Sequence, residues 1–206
     1  MGEFNFIDLF AGIGGFHQAI HNEARCVFAS EIDEFARKTY RENFKKKSKN
    51  LFINNEKHFN RDILIYRNNP KKIEEIPDFN LLCAGFPCQP FSQAGYKRGF
   101  EEDKESRGNM FFVIRDIIKY KKPEAVFLEN VRHLINHDNG HTFKIIKDIM
   151  EKELNYSFLY KTIKASEYGL PQHRPRVFIV CFRNEKTGNS SFKFPKPVKL
   201  NKTMSD

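Results

Sequence analysis

Tryptophan is absent from this 206-residue sequence, and cysteine occurs only four times, at positions 26, 83, 88 and 181. Four scattered cysteines do not make the paired pattern of a zinc module, so no metal site is predicted. A chain of about 200 residues buries enough surface to fold without disulfides. Cys26, Cys83 and Cys181 lie inside apolar runs and are expected to be small core residues. Cys88 does not lie in such a run.

Long apolar runs are missing as well. No segment approaches the roughly 20 consecutive apolar residues that a transmembrane helix needs. The first apolar run, Phe4 to Phe10, contains Asn5 and Asp8 and has no basic segment before it, unlike a signal peptide. We therefore expect a soluble, intracellular domain.

Acidic residues are too few to balance the basic ones. The 26 Asp and Glu stand against 35 Lys and Arg, which gives a net charge of +9. With 40% hydrophobic and 30% charged residues, the composition is that of a globular domain and excludes disorder along the whole chain. The positive excess favours a polyanionic partner. A lysine-rich surface kept for solubility explains the same charge, and charge alone does not separate the two.

Apolar segments of strand length alternate with helical patterns, which predicts βαβ units and a parallel sheet. Segments 158–163 and 177–182 are joined by a turn-rich stretch too short for a crossover helix, which predicts an antiparallel pair. Residues 1–183 are expected to form one α/β domain and 184–206 a loose basic tail. The other predicted strands are 4–10, 26–30, 80–85 and 125–128, and the predicted helices begin near Gly15 or cover 35–44, 109–120 and 143–154.

A glycine-rich turn, Phe10-Ala11-Gly12-Ile13-Gly14-Gly15, joins the first strand to the first helix. Such a turn lets the backbone approach a ligand closely and offers N–H groups at a helix start. Glu31 ends the second strand about 20 residues later, where doubly wound folds place an acid against ribose hydroxyls. Together they predict a nucleoside-cofactor site, and the glycine spacing disfavours NAD. Gly14 and Gly15 also fit a purely structural role in packing the helix.

Cys88 lies between two prolines, just after a predicted strand. Open α/β sheets build ligand crevices at such strand ends, and the prolines would hold the thiol in a fixed direction. A loop cysteine without a role is the alternative interpretation.

Two more segments carry ionisable groups at strand ends. Glu129 follows the apolar strand 125–128, and an apolar setting disfavours the charged form of a carboxyl group, which suits a general acid. Arg174 and Arg176 stand two residues apart before a strand, so an extended chain would direct both side chains the same way. A plain surface pair of arginines is the alternative.

These segments, in this order, resemble the DNA cytosine-5 methyltransferase family, and the resemblance covers Phe4 to Val180. It implies an α/β, Rossmann-like S-adenosylmethionine-dependent methyltransferase fold, with a mostly parallel sheet and a C-terminal antiparallel strand pair. The matching segments are Phe10 to Phe16 for the cofactor motif, Arg61-Asp62-Ile63 for the adenine contact, Pro87-Cys88-Gln89 for the nucleophile, Arg107 to Phe111 for the following segment, Glu129-Asn130-Val131 for the acid and Gln172 to Arg176 for orienting the base.

The resemblance implies that Cys88 adds to carbon 6 of a flipped-out cytosine and that carbon 5 then takes the methyl group of S-adenosylmethionine. It implies that Glu129 protonates ring nitrogen 3, while Arg174 and Arg176 orient the base. The residues expected to contact DNA are Gln89, Ser92, Gln93 and Asn130. The residues expected to bind the cofactor are Phe10, Gly12, Ile13, Glu31, Ile32, Asp62, Ile63, Gly85, Pro87 and Met110. Ile32 stands where the family often has an aromatic residue.

Family members normally continue into a target-recognition domain and two further motifs, for which the sequence after Val180 has no counterpart. A subunit of a split enzyme, a truncated form and a gene remnant are the three explanations. The implied partners are double-stranded DNA and, for a split enzyme, a second subunit carrying the recognition domain. A bacterial cytoplasmic location beside the nucleoid and a role in restriction-modification are also implied. Methylation of tRNA and an inactive cofactor-binding fragment are the alternative functions.

Overall fold

A computed structural model describes residues 4–87, 110–184 and 191–198. Its strands form one seven-stranded sheet, and their bounds are β1 (Asn5–Leu9), β2 (Arg25–Ser30), β3 (Phe59–Asn60), β4 (Leu81–Ala84), β5 (Ala125–Val131), β6 (Leu159–Lys164) and β7 (Pro175–Phe182). The spatial order is β3-β2-β1-β4-β5-β7-β6. Strands β1 to β5 are parallel, and β7 lies antiparallel to both β5 and β6.

The helices begin at residues that can cap them. The Asp33 side chain accepts a hydrogen bond from the Ala36 N–H at the start of α2, and Asn69 does the same for Lys72 ahead of α3, which begins with Pro70. The α-helices are α1 (Gly15–Ile20), α2 (Glu34–Phe44), α3 (Pro70–Glu74), α4 (Met110–Lys121) and α5 (His141–Asp148), which continues as a π-helical turn over Ile149–Glu153. Short 3-10 helices cover Lys49–Leu51, Ile63–Tyr66, Arg132–Ile135 and Ala165–Glu167.

The sheet is buried on both faces, as expected for parallel strands with crossover helices. Neighbouring residues of β1 point to opposite faces, so Ile7 belongs to the larger apolar cluster and Phe6 to the smaller one. The larger cluster includes side chains of α3, α4 and α5, and the smaller one includes Tyr40 and Phe44 of α2. Cys26, Cys83 and Cys181 are buried and free, which confirms the prediction that they are core residues.

The sequence predictions of architecture are confirmed: the fold is α/β with a mostly parallel sheet and a C-terminal antiparallel pair. The prediction that β5 ends at Glu129 was wrong, because β7 pairs with β5 as far as Val131, which lies opposite Arg176. The two-residue strand β3 and the five-residue helix α3 were not predicted, since neither is long enough to show a hydrophobic period.

Residues 191–198 run beside the end of the sheet. The Val198 N–H donates to the Glu167 carbonyl at 2.7 Å, and the Tyr168 hydroxyl donates to the Pro195 carbonyl at 2.8 Å. The division of the chain at residue 183 stays a prediction. Within the described ranges, no helix combines the length and the hydropathy needed to cross a lipid bilayer.

Candidate cofactor and catalytic site

The register of the parallel strands places four of the predicted site residues in a row. Leu9 pairs with Ser30 of β2 and with Ala84 of β4, and Ala84 pairs with Leu128 of β5. The residues that directly follow these partners are Phe10, Glu31, Gly85 and Glu129. Neighbouring strands lie about 4.8 Å apart, so the carboxyl edge of the sheet gathers segments that are far apart in sequence.

The glycine-rich turn folds around the Glu31 carboxylate. Its Oε2 accepts a hydrogen bond from the Gly12 N–H and its Oε1 accepts one from the Asp33 N–H, both at 2.8 Å. Phe10 and Gly12 both adopt positive φ, 54° and 55°, and a Cβ at Gly12 would meet no atom within 4 Å. Two of the roughly four acceptor sites of the carboxylate are therefore used. The others can accept hydrogen bonds from a pair of ribose hydroxyls beside an open backbone.

The next glycine, Gly14, has a different role. It is buried, with φ 96° and ψ 42° at the start of α1. A Cβ there would overlap Phe44 Cε2 and lie 2.8 Å from Phe44 Cζ and 3.1 Å from Tyr40 Cδ2. The packing role that the sequence left open is therefore correct for Gly14, whereas a Cβ at Gly15 would meet nothing within 4 Å.

Three exposed apolar side chains lie close in sequence to Glu31 and to the residues that bond it, Gly12 and Asp33. Ile13 is 61% exposed, Ile32 70% and Phe35, in the first turn of α2, 83%. Uncovered apolar side chains next to hydrogen-bonding groups are suited to a flat nucleoside base. Phe35 was missed by the sequence predictions, although its position three residues after Ile32, on a helix start, was a usable signal.

Two residues predicted to contact the adenine, Asp62 and Ile63, lie at the start of the 3-10 helix Ile63–Tyr66. Asp62 is exposed and caps this helix by accepting from the Leu64 N–H at 2.9 Å, while Ile63 packs its side chain into the core. Met110 is partly buried at the start of α4, and Pro87 is exposed. Contacts of these residues with a cofactor stay predictions.

Glu129 and Arg176 form an ion pair across β5 and β7. Arg176 Nε donates to Glu129 Oε1 at 2.8 Å, and each side chain is about a quarter exposed, 21% and 24%. The two residues are diagonal neighbours in the antiparallel ladder, because Glu129 lies opposite Phe178. Arg174 precedes β7 and is exposed. The structure therefore brings Arg176, and not Arg174, to the predicted acid.

Gly85 connects the acid to the cofactor turn. A Cβ at Gly85 would lie 3.6 Å from Glu129 Oε2 and 3.9 Å from the Phe10 carbonyl oxygen. Any larger residue would therefore begin to fill the space between the two groups.

Asn130 supports the segment that leads to Cys88. It is 2% exposed, and its Nδ2 donates to the Phe86 carbonyl at 2.8 Å. Its Oδ1 accepts from the Val131 N–H at 2.8 Å. Both polar atoms of the Asn130 amide are therefore hydrogen-bonded within the protein, and its predicted contact with DNA stays a prediction. The predicted residues Cys88, Gln89, Ser92 and Gln93 lie outside the described ranges.

A buried polar network beneath the turn was also missed. His17 Nδ1 lies 2.6 Å from the Tyr40 hydroxyl, His17 Nε2 lies 2.9 Å from Ser48 Oγ, and the ring stacks on Phe44 at 3.8 Å. Burial lowers the pKa of His17 to about 3, and the nearby basic side chains of His21 and Lys47 add to this, so the His17 imidazole is neutral. A lone histidine in a short helix carried no signal for this network.

Asp8 is fully buried in β1 on the same side of the sheet as Phe6. Burial raises the pKa of Asp8 well above its usual range; the backbone N–H of His17 opposes this, and the Glu31 carboxylate adds to it. The described residues contain no group of three or more His, Cys, Asp or Glu placed to hold a metal ion.

The sheet order and the site at its carboxyl edge define a class, the Rossmann-like methyltransferases, in which an antiparallel strand is inserted next to a doubly wound parallel sheet. Solved structures show the same fold. A DNMT2 mutant of Spodoptera frugiperda superposes with a TM-score of 0.68 at 23% identity, over 98% of this chain and 56% of that one. This similarity confirms the predicted fold.

Sequence comparison gives the family. The C-5 cytosine-specific DNA methylase model matches residues 4–206, and the chain belongs to that family, as predicted. It is 43% identical over 203 residues to Type II methyltransferase M.HhaI of Haemophilus parahaemolyticus, covering 98% of this chain and 55% of that protein. It is 45% identical over 212 residues to Type II methyltransferase M.SsoII of Shigella sonnei, covering 100% and 50%. The chain therefore spans about half the length of these relatives.

Proposed function

We propose that this chain carries the cofactor-binding and catalytic part of a DNA cytosine-5 methyltransferase. The reaction transfers a methyl group from S-adenosylmethionine to carbon 5 of a cytosine flipped out of double-stranded DNA. The observation that carries the proposal is the placement of the Glu129–Arg176 pair beside Gly85, three residues before Cys88 and next to the Gly12–Glu31 turn.

The described residues fit an adenosine-containing cofactor. Glu31 would accept hydrogen bonds from the ribose hydroxyls, because each of its oxygens retains acceptor capacity after bonding Gly12 and Asp33. Ile32 and Phe35 supply exposed apolar surface for the adenine ring, and the open space at Gly12 admits the methionine end of the cofactor close to the backbone. When bound, S-adenosylmethionine supplies an electrophilic methyl group.

The chain's own residues would activate the base. The Cys88 thiolate forms a C–S bond at carbon 6, and the electron pair of the carbon 5–carbon 6 double bond becomes available at carbon 5 for methyl transfer. Water removes the proton from carbon 5 of the methylated ring. The electron pair left behind re-forms the double bond and expels the Cys88 thiolate.

Glu129 would donate the proton that ring nitrogen 3 requires as charge develops there, and would take it back when the Cys88 thiolate leaves. Arg176 donates a hydrogen bond to Oε1 of Glu129, whereas Oε2 faces the space beside Gly85. We assign Oε2 as the oxygen that carries the proton and Arg176 as the group that orients the carboxyl.

A trapping experiment tests the nucleophile. In 5-fluorocytosine, fluorine replaces the carbon 5 proton whose removal allows the thiolate to leave. Duplex DNA that contains 5-fluorocytosine, together with labelled cofactor, should therefore give a stable covalent adduct with the chain. Cys88→Ser should abolish the adduct, and Cys181→Ala, at a buried core cysteine, should keep it. An adduct that survives Cys88→Ser would refute the assignment of the nucleophile.

A second experiment tests the acid. Glu129→Gln removes the transferable proton while keeping the side-chain shape, so we expect the single-turnover rate to fall by about 10² to 10⁴-fold. Binding of S-adenosylhomocysteine, measured by calorimetry, should be retained. An unchanged rate would exclude Glu129 as the acid.

The proposal covers the chemistry of methyl transfer and not the choice of DNA sequence, because the chain spans about half the length of the matched relatives.

A further inference from the structure

A basic groove lies at the edge of the sheet opposite the candidate site. It has a volume of about 580 Å³ and is open to solvent. The side chains that matter for its chemistry are His21, Glu23, Lys46, Lys47 and Lys49. We propose that this basic groove binds phosphate groups of a second DNA segment, separate from the one whose cytosine is methylated.

The charge of the groove is positive and largely uncompensated. Lys46, Lys47 and Lys49 are exposed, and none of them forms an ion pair with a carboxylate of the described residues. Among the described residues that line the groove, Glu23 alone is acidic. Ammonium groups act as compact point charges, which suits contact with phosphates.

The partner of Lys47 is a histidine and not a carboxylate. Lys47 Nζ donates to His21 Nε2 at 3.0 Å, and His21 Nδ1 donates to the Gln18 carbonyl at 2.9 Å. An imidazole ring carries no negative charge. The contact therefore holds the ammonium group in place without neutralising it.

The wall of the groove is fixed by hydrogen bonds. The N–H groups of Lys47 and Ser48 donate to the Phe44 carbonyl, so the lysine-rich segment continues directly from α2. Ser48 Oγ contacts His17, and Asn50 Nδ2 donates to the Cys26 carbonyl at 2.9 Å. The lysine backbones are thus held in position before any ligand arrives, which lowers the cost of ordering them.

The position of the groove determines which DNA it can reach. It includes Arg25, the first residue of β2, which pairs with Asn5 at the amino end of β1. The five residues of β1 separate this edge from the carboxyl edge by about 16 Å. The groove and the catalytic crevice therefore lie at opposite edges of the sheet, which is why we assign the groove to a DNA segment other than the one that carries the target cytosine. The choice of DNA as the polyanion rests on the proposed function.

Phosphate contacts made by lysines carry no sequence information but depend strongly on salt. A triple variant, Lys46→Gln with Lys47→Gln and Lys49→Gln, should lower the slope of log K against log salt by about 2.7 if each lysine contacts one phosphate. Binding is measured by fluorescence anisotropy with an oligo(dA)·oligo(dT) duplex, which offers no cytosine.

The matched control removes the same charge elsewhere. Lys38, Lys71 and Lys144 are exposed on α2, α3 and α5, and their joint replacement by Gln should change the slope by less than about 0.9. Equal changes in the two triple variants would overturn the proposal, because they would show a general charge effect.

Acetylation footprinting tests the groove without any substitution. The duplex should protect Lys46, Lys47 and Lys49 of the unaltered chain, and Lys144 should remain reactive. Protection by tRNA but not by the duplex, or by neither, would overturn the assignment. If S-adenosylhomocysteine binding and the 5-fluorocytosine adduct fail while protection persists, the proposed function falls and the groove remains a DNA contact.

Discussion

Replacing Gly14 by alanine tests why the cofactor turn needs a glycine at that position. Gly14 adopts φ 96°, which a residue with a Cβ rarely tolerates, and the added methyl would overlap Phe44 and press on Tyr40. Phe44 is 1% exposed and stacks on His17, so it has no free space into which to move.

The expected loss of stability has two parts. The left-handed backbone costs about 1–2 kcal/mol for a residue with a Cβ. Overpacking a filled interior costs about 1–3 kcal/mol. Gly14→Ala should therefore lower the free energy of unfolding by about 2–5 kcal/mol, which is a large share of the about 5–15 kcal/mol typical of a domain.

Urea unfolding followed by circular dichroism measures this loss. Gly15→Ala is the matched control, because a Cβ there meets nothing and alanine favours a helix over glycine by about 0.5–1 kcal/mol. A Gly14→Ala protein as stable as the wild type would refute the packing argument. So would equal destabilisation by both variants.

Three further predictions concern buried or paired polar groups. Asn130→Ala leaves the Phe86 carbonyl without its partner and should cost about 1–3 kcal/mol in urea unfolding; an unchanged midpoint would contradict this. His17 has a pKa of about 3 when folded against 6.5 when unfolded, so unfolding takes up a proton in between and stability falls as pH drops through that window. His17→Gln should flatten this pH dependence by about 1.4 kcal/mol per pH unit, and an identical slope would exclude the neutral buried imidazole. Arg176→Gln should lower the single-turnover rate at least about tenfold through misplacement of Glu129, while the partly exposed pair contributes only about 1 kcal/mol or less to stability. An unaffected rate would remove Arg176 from the site.

The sequence was informative where the signal is local. Apolar runs and glycine turns predicted the order of strands and helices, because the hydrophobic period and turn chemistry depend on neighbouring residues. Gly12 and Glu31 could be assigned to one cofactor site because doubly wound folds place a glycine-rich turn and an acid at neighbouring strand ends, and the family resemblance added Glu129. The motifs were also sufficient for the family.

Tertiary structure decided which of several similar residues does what. Gly12 and Gly14 belong to one motif. Only the packing of the turn against α2 shows that a Cβ would find open space at Gly12 and would meet α2 side chains at Gly14. Arg176 reaches Glu129 and Arg174 does not, because the antiparallel pairing of β5 with β7 makes Arg176 the diagonal neighbour of Glu129.

Burial and long-range partners were equally beyond sequence reasoning. The motif that contains Asn130 gave no sign that its amide donates to the carbonyl of Phe86, 44 residues earlier in the chain. His17 reaches Ser48 across 31 residues, and the basic groove joins the start of β2 to the end of α2. Residue type and local pattern determine which elements form, whereas these pairings depend on how distant elements pack, which only the folded chain decides.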